Sequence, residues 1–332
     1  MGDTAEIIKG NSWRDYLLSP TDEFTDPEPI IMQGDRVLLS RGNLATITGK
    51  PKAFKTFLNS GICAGVLEDT ALSFSSPIKS ARILFVDTEQ AKGHAQKVQH
   101  RIYRLCGYDI KKRTDRLDYL TLREVNAKQR VEITIKAMEE LKPDLVVIDG
   151  IRDLVLDFND LAESGQIVGE MMRLSSLYNC GILTVLHQNK ADNNARGHLG
   201  SELCNKSETV IQVVKDKGIA TVSPVYSRNR EIQDFSFKIN DAGLPELCDT
   251  PKIEKKTGEL AELMRKSMFG SAWMDRKTLI EKVSIVSDKS EKTAKRRIAD
   301  AMDSGLIKIN SQGYYILVEK NKDNENESEF PF

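Results

Sequence analysis

Long hydrophobic runs are missing from this 332-residue sequence. No apolar stretch approaches the roughly 20 residues that a helix needs to span a bilayer, which disfavours a membrane protein. The opening residues Met1-Gly2-Asp3-Thr4-Ala5-Glu6 show neither the basic start nor the apolar stretch of a secretory signal. Ala5-Glu6 also stand where a myristoylation signal wants Ser or Thr. The expectation is a cytoplasmic protein with no membrane partner. Cysteine is sparse: Cys63, Cys106, Cys180, Cys204 and Cys248 are scattered and form no Cys-x-x-Cys pair. That spacing fits neither a zinc ribbon nor a disulfide framework, and suits buried thiols in a reducing compartment. His94, His100, His187 and His198 form no metal spacing either.

An overall excess of one charge is also lacking, with 48 basic against 49 acidic side chains. The distribution is uneven, however. Residues 251–320 hold 15 basic and 10 acidic side chains, whereas the tail 321–332 holds one Lys and four acids, leaving residues 1–250 at −3. A basic module therefore stands between a mildly acidic larger domain and an acidic tail, and the length suits two domains.

What the chain does have is alternation. Residues 1–36 are polar, carry Pro20, Pro27 and Pro29, and read as a lead-in arm. Over 37–240, apolar runs at 44–48, 82–87, 117–122, 145–149 and 182–187 are separated by helix-length stretches. Runs such as Leu145-Val146-Val147-Ile148 suit strands buried on both faces of a parallel sheet. Three further strands at 209–214, 220–226 and 235–239 follow closely, as hairpins extending that sheet would. The fold class expected is α/β with a mostly parallel sheet. Residues 241–258 read as a linker, and 259–320 as three helices followed by a β-hairpin.

The first of these strands runs into Gly49-Lys50-Pro51-Lys52-Ala53-Phe54-Lys55-Thr56 and then an apolar helix. This is the context of a phosphate-binding loop, in which loop N–H groups and a helix N-terminus face phosphate. Lys55 would reach the β- and γ-phosphates of ATP, and the Thr56 hydroxyl would ligate Mg²⁺. Phe54 replaces the second glycine of the pattern, so a fortuitous Gly-x5-Lys-Thr at a strand–helix turn is the competing reading. Three downstream strand ends add context. Leu145–Asp149 closes on a carboxylate able to order Mg²⁺, Ile83-Leu84-Phe85-Val86-Asp87-Thr88-Glu89 offers an acid able to polarise water, and Val185-Leu186-His187-Gln188 ends in polar groups. Ligands of open α/β sheets bind at such carboxyl ends.

This order of motifs resembles the RecA-like P-loop ATPase core. More closely, residues 30–240 resemble the RepA/DnaB-type hexameric helicase branch and the AAA-domain ATPases of plasmids, phages and mobilizable transposons. Arg41-Gly42-Asn43-Leu44 and Val147-Ile148-Asp149-Gly150-Ile151-Arg152-Asp153-Leu154 are the most specific phrases. The resemblance implies ATP and Mg²⁺ as cofactors, Lys55 and Thr56 holding phosphate and metal, Glu89 as catalytic base and Asp149 as the Mg²⁺ carboxylate. His187 and Gln188 would fall on its sensor position. Arg228, in Val225-Tyr226-Ser227-Arg228-Asn229, would be the finger reaching a neighbouring subunit's γ-phosphate, with Tyr226 where the branch has Lys. It also implies a homo-oligomeric ring whose channel loop binds single-stranded DNA. Lys190 and Arg196 are the contact candidates, a solvated surface loop being the alternative.

The C-terminal pattern resembles a winged helix-turn-helix. Ala294, Ile298, Ala301 and Met302 mark a buried stripe on its third helix, with Lys289, Lys292 and Arg296 opposite and Arg297 at the flank. Such a helix suits a major groove, or else a protein contact. The tail ends in Phe330-Pro331-Phe332 after repeated acids, which reads either as a solubilising extension or as a ligand for a replication partner. Two functions remain open. One is a DNA-acting, helicase-like ATPase serving replication, excision or transfer of a mobile genetic element. The other is a DNA-binding regulator or accessory recombination factor in which ATP binding controls oligomerisation and hydrolysis is weak.

Overall fold

The computed structural model describes residues 13–69, 71–188, 197–250, 254–310 and 312–318. The chain divides into two units, Met1–Thr250 and Pro251–Phe332.

The larger unit opens with a hairpin of β1 (Pro29–Gln33) and β2 (Arg36–Ser40), turned at Gly34-Asp35 with Gln33 opposite Arg36. Then come β3 (Leu44–Gly49), α1 (Lys55–Glu68) and β4 (Phe74–Ser75), and β4 pairs with β1 to complete a small sheet. The chain continues through β5 (Ile83–Asp87), α2 (Lys92–Leu105), β6 (Leu117–Thr121), α3 (Ala127–Leu141) and β7 (Leu145–Asp149). After α4 (Leu161–Leu177), β8 (Gly181–His187) and α5 (Gly197–Lys206) come four strands in succession. These are β9 (Thr209–Asp216), β10 (Ile219–Ser227), β11 (Phe235–Ile239) and β12 (Pro245–Cys248).

Nine strands form one sheet in the order β12-β11-β10-β9-β3-β8-β7-β5-β6. The six from β9 to β6 are parallel, and β10, β11 and β12 add antiparallel hairpins at one edge. This is the α/β class with a mostly parallel sheet that the strand–helix alternation implied. Successive residues of β7 feed opposite cores. Leu145 and Val147 pack with α1, α2 and the hairpin residues Ile30, Ile31, Leu38 and Leu39, whereas Val146 and Ile148 pack with α3, α4 and α5. Burial on both faces explains why these strands read as continuous apolar runs.

The lead-in arm expected over residues 1–36 is corrected from Pro29 onward. Ile30 and Ile31 are fully buried, so this stretch belongs to the core of the larger unit. The linker expected at 241–258 is likewise shortened, because β12 pairs with β11 and a helix already begins at Glu254.

The smaller unit contains α6 (Glu254–Ser267), α7 (Arg276–Ser287), α8 (Glu291–Asp303) and a hairpin of β13 (Ile307–Ile309) and β14 (Tyr315–Leu317). Met264, Met268, Leu279, Val283, Ala294, Ile298 and Ala301 close its core. Met302, expected on the buried stripe, is 36% exposed. Ala294, Ile298 and Ala301 already complete the inward face of α8, and Met302 lies about 100° beyond Ala301. Among the described residues, no helix is long and apolar enough to cross a membrane.

Candidate nucleotide-binding site

The parallel strands end together. Gly49 on β3 is level with His187 on β8, and Asp87 on β5 is level with Asp149 on β7. The loop after Gly49 folds over this edge and feeds α1, whose N-terminal cap is Phe54. Gly49 is required there, because a Cβ would come within 2.6 Å of the Val213 carbonyl oxygen on neighbouring β9. Lys50, Pro51 and Lys52 are exposed on the loop, while Ala53 and Lys55 are buried.

Phe54 takes φ 69° and ψ 21°, the left-handed conformation that favours glycine. Side-chain packing holds it there. Its ring meets Phe57 edge-on at 5.4 Å and Phe237 at 6.4 Å, and the Lys215 ammonium lies 3.8 Å from the ring centroid. Arg101 covers the far ring of the pair, 3.7 Å from the Phe57 centroid.

Lys55 Nζ donates to the carbonyls of Gly49 (2.8 Å) and Lys50 (2.9 Å) and meets His187 Nδ1 at 2.9 Å. Burial holds its pKa down to about 8, against the pull of Asp149 and Glu89 in the other direction. A charged Lys55 donating to Nδ1 leaves the imidazole proton on Nε2, which lies 3.6 Å from Glu89 Oε1. His187 thus bridges the phosphate-loop lysine and the expected base. The imidazole, followed by the charges of Lys55 and Arg152, holds the Glu89 carboxyl below the usual range against a burial effect that raises it.

The loop carrying Glu89 is fastened at both sides. Asp87 accepts the N–H groups of Glu89 (3.1 Å) and Gln90 (2.9 Å), and its other oxygen accepts the Tyr119 hydroxyl at 2.9 Å. The buried Thr88 hydroxyl donates toward the carbonyls of Asp149 and Gly150 and lies 3.1 Å from Asp153 Oδ2. Gly150 has φ 105°, and a Cβ on it would lie 2.3 Å from Thr88 Oγ1 and 2.9 Å from Glu89 Cγ. Asp87, Thr88 and Gly150 are therefore what positions Glu89. Sequence spacing alone did not single them out, although the glycine directly after the strand-ending Asp149 was a visible signal.

Asp149 is pushed up to about 6, first by burial and then by the charges of Asp87 and Glu89, while the Thr56 hydroxyl donates to it. Its Oδ2 is buried without a hydrogen-bond partner. An unpaired buried carboxylate oxygen beside a hydroxyl is a donor set that fits Mg²⁺. Among the described residues no group of three or more His, Cys, Asp or Glu could hold a metal unaided. Thr56 and Asp149 would thus supply the protein side of an ion shared with a triphosphate, where it would neutralise charge on phosphate oxygens.

Gln188 is buried, and its N–H donates to the Gly49 carbonyl, locking β8 to the start of the loop. Arg228 is placed elsewhere. Ser227 pairs with Thr209, which is level with Ala45, so Arg228 follows the end of the sheet opposite the phosphate loop. There its N–H donates to the Glu208 carbonyl and its guanidinium to that of Lys206. Four residues of strand separate that level from Gly49, at least about 13 Å. Arg228 does not join the site of its own chain.

Of the expected DNA contacts, Lys190 and Arg196 lie outside the described residues, as does the tail 321–332. Lys292 and Arg296 are exposed on α8, and Arg297 is half-buried. Lys289 is not on that helix. Ser290 caps α8, so Lys289 sits in the preceding turn, its N–H bonded to the Ser284 carbonyl.

A family model described as an AAA domain matches residues 19–193, more than half of the chain. The chain belongs to the AAA-domain family. Its matched region runs from before the β1–β2 hairpin to just past the tip of β8, so it includes Lys55, Thr56, Glu89, Asp149 and His187. The protein is accordingly an AAA-domain P-loop ATPase with an α/β core built on a mostly parallel sheet. No curated protein matches the chain. Among solved structures, a KaiC-like protein from the hyperthermophilic archaeon Pyrococcus horikoshii OT3 is similar over 63% of this chain and 93% of that one, at 12% identity and a TM-score of 0.47.

Proposed function

We propose that this AAA-domain ATPase acts on DNA, hydrolysing ATP as a homo-oligomeric ring in replication, excision or transfer of a mobile genetic element. The observation that carries the hydrolytic part is the line Lys55–His187–Glu89 across the phosphate end of the sheet, with Thr56 and Asp149 beside it. In the free protein, Lys55 spends its donors on two loop carbonyls and His187. A bound triphosphate offers it charged acceptors instead, and charge-assisted bonds are the stronger ones. His187 is then released at Nδ1, while its Nε2 proton still faces Glu89. Glu89, held ionised, would take the proton of a water as that water attacks the γ-phosphorus and the bond to the bridging oxygen breaks, releasing ADP and phosphate.

The ring and DNA parts rest on other supports. Arg228 lies far from its own phosphate loop, which suits a finger acting on the next subunit in a head-to-tail ring. The exposed cations of α8 suit duplex contact by a winged-helix-like unit, Lys190 and Arg196 remain the single-strand candidates, and the acidic tail suits a replication partner. A second reading, a regulator whose hydrolysis is weak, draws on Phe54 in the glycine position and on Tyr226, 59% exposed where the helicase branch has Lys. The test is ATP turnover with and without single-stranded DNA, beside strand displacement of a forked duplex. The leading reading expects DNA-stimulated turnover that Lys55→Ala abolishes. Slow turnover indifferent to DNA, with nucleotide-dependent oligomerisation, would favour the regulator.

A further inference from the structure

The outward face of α2 carries no acid. Residues 92–116 hold eight Lys and Arg against two Asp, in a region whose net charge over residues 1–250 is −3. Ala95, Val98 and Ile102 bury one side of α2. On the opposite side, at about 100° per residue, Lys97, His100 and Arg104 fall in line. Lys111 and Lys112 follow in the turn leading toward β6, and Lys97, Arg104, Lys111 and Lys112 are all exposed.

Other cations of this stretch are already committed. Lys92 pairs with Glu124, Arg113 with Asp118 and Arg116 with Glu68, while Arg101 lies on the Phe57 ring. Among the described residues, no carboxylate lies within ion-pair distance of the side chains of Lys97, Arg104, Lys111 or Lys112. A cation in the last turn of a helix complements the helix dipole, which accounts for Arg104 but for none of the three lysines.

We propose that this face, from Lys97 through Arg104 to Lys111 and Lys112, binds the sugar–phosphate backbone of nucleic acid. Lys97 and Arg104 are two turns apart, about 10 Å, a spacing that spans neighbouring phosphates of a strand. An acidic peptide would call for apolar anchors, and of the large hydrophobics of residues 92–113 only Ile110 is exposed. The proposed surface uses residues other than the α8 cations and other than Lys190 and Arg196. It deepens the DNA-acting reading by adding a contact that neither provides.

The test uses the full chain carrying Lys97→Glu, Arg104→Glu, Lys111→Glu and Lys112→Glu together. A control carries Lys79→Glu, Lys128→Glu, Lys136→Glu and Lys238→Glu, four exposed lysines elsewhere, so that net charge changes equally. Binding of a 30-nucleotide single strand and of its duplex is measured across a salt series, with ATP turnover in the absence of DNA as the check on folding. Four lost phosphate contacts should flatten the single-strand salt slope by about 3 and weaken binding on the order of a hundredfold near 0.1 M salt. The control should stay within about threefold. Equal losses in the two variants, or no loss in the first, would overturn the proposal while leaving the DNA-acting reading standing. Undisturbed DNA binding with lost capture of a peptide of residues 321–332 would also overturn it, assigning the face to an acidic peptide. Wild-type protein that binds neither DNA would remove the DNA-acting reading itself.

Discussion

Phe54 shows how a side chain can take over the work of a glycine. The left-handed conformation costs a residue with a Cβ about 1–2 kcal/mol. Against that stand ring contacts with Phe57 and Phe237, about 0.5–1.5 kcal/mol for a well-placed aromatic pair, and a cation–π contact of about 0.5–1 kcal/mol from Lys215. Restoring the glycine removes the strain, but it also removes the contacts and adds chain entropy to the unfolded state. Phe54→Gly should therefore lower stability by about 1–2 kcal/mol and weaken ATP binding, as read by thermal unfolding and nucleotide titration. A variant both more stable and tighter-binding would show that the ring is a burden on the loop. Acid–base behaviour belongs to this scale too. Asp149, at about 6, must be ionised to hold Mg²⁺, so kcat/KM should fall as pH drops below 6. Lys55, at about 8 in the free protein, loses its charge as pH rises, so kcat/KM should fall again above 8. Bound phosphate favours the charged lysine, so the alkaline limb should fade from kcat. A flat kcat/KM profile from pH 5 to 9 would contradict both assignments.

At the scale of elements, what was legible followed burial. Strands with both faces covered announce themselves as continuous apolar runs, and β3, β5, β7 and β8 were placed to within a residue or so, with the strand-tip residues of the candidate site. The β1–β2 hairpin was overlooked, although Ile30-Ile31-Met32 and Val37-Leu38-Leu39 flank a two-residue Gly34-Asp35 turn, a recognisable hairpin pattern. Pro20, Pro27 and Pro29 favour an irregular reading of the stretch up to residue 36, which hides β1 and separates it from Val37-Leu38-Leu39. β12 carries no such signature, because Pro245-Glu246-Leu247-Cys248 pairs on one side only, at the sheet edge. What spacing could not reveal was tertiary approach. That Thr88 reaches the carbonyls of Asp149 and Gly150, that Gly150 must lack a Cβ, and that Lys215 lies on Phe54 all depend on neighbouring strands rather than neighbouring residues.

At the scale of the whole molecule, the phosphate loop and Arg228 belong to opposite ends of one sheet, which makes each subunit incomplete if Arg228 is the finger. Mixing Arg228→Ala chains with Lys55→Ala chains should then restore part of the activity at interfaces that pair one intact face from each, with assembly checked by light scattering. No recovery at any ratio would argue for a site completed within one chain. All of this presupposes hydrolysis by the group that β5 delivers to the phosphate end, with Asp87, Thr88 and Gly150 fixing its loop. The most direct measurement is ATP binding and turnover in Glu89→Gln. The account predicts nucleotide affinity within about threefold of wild type and turnover reduced at least about a hundredfold, the scale on which general bases act. Turnover near the wild-type rate, with binding intact, would contradict it.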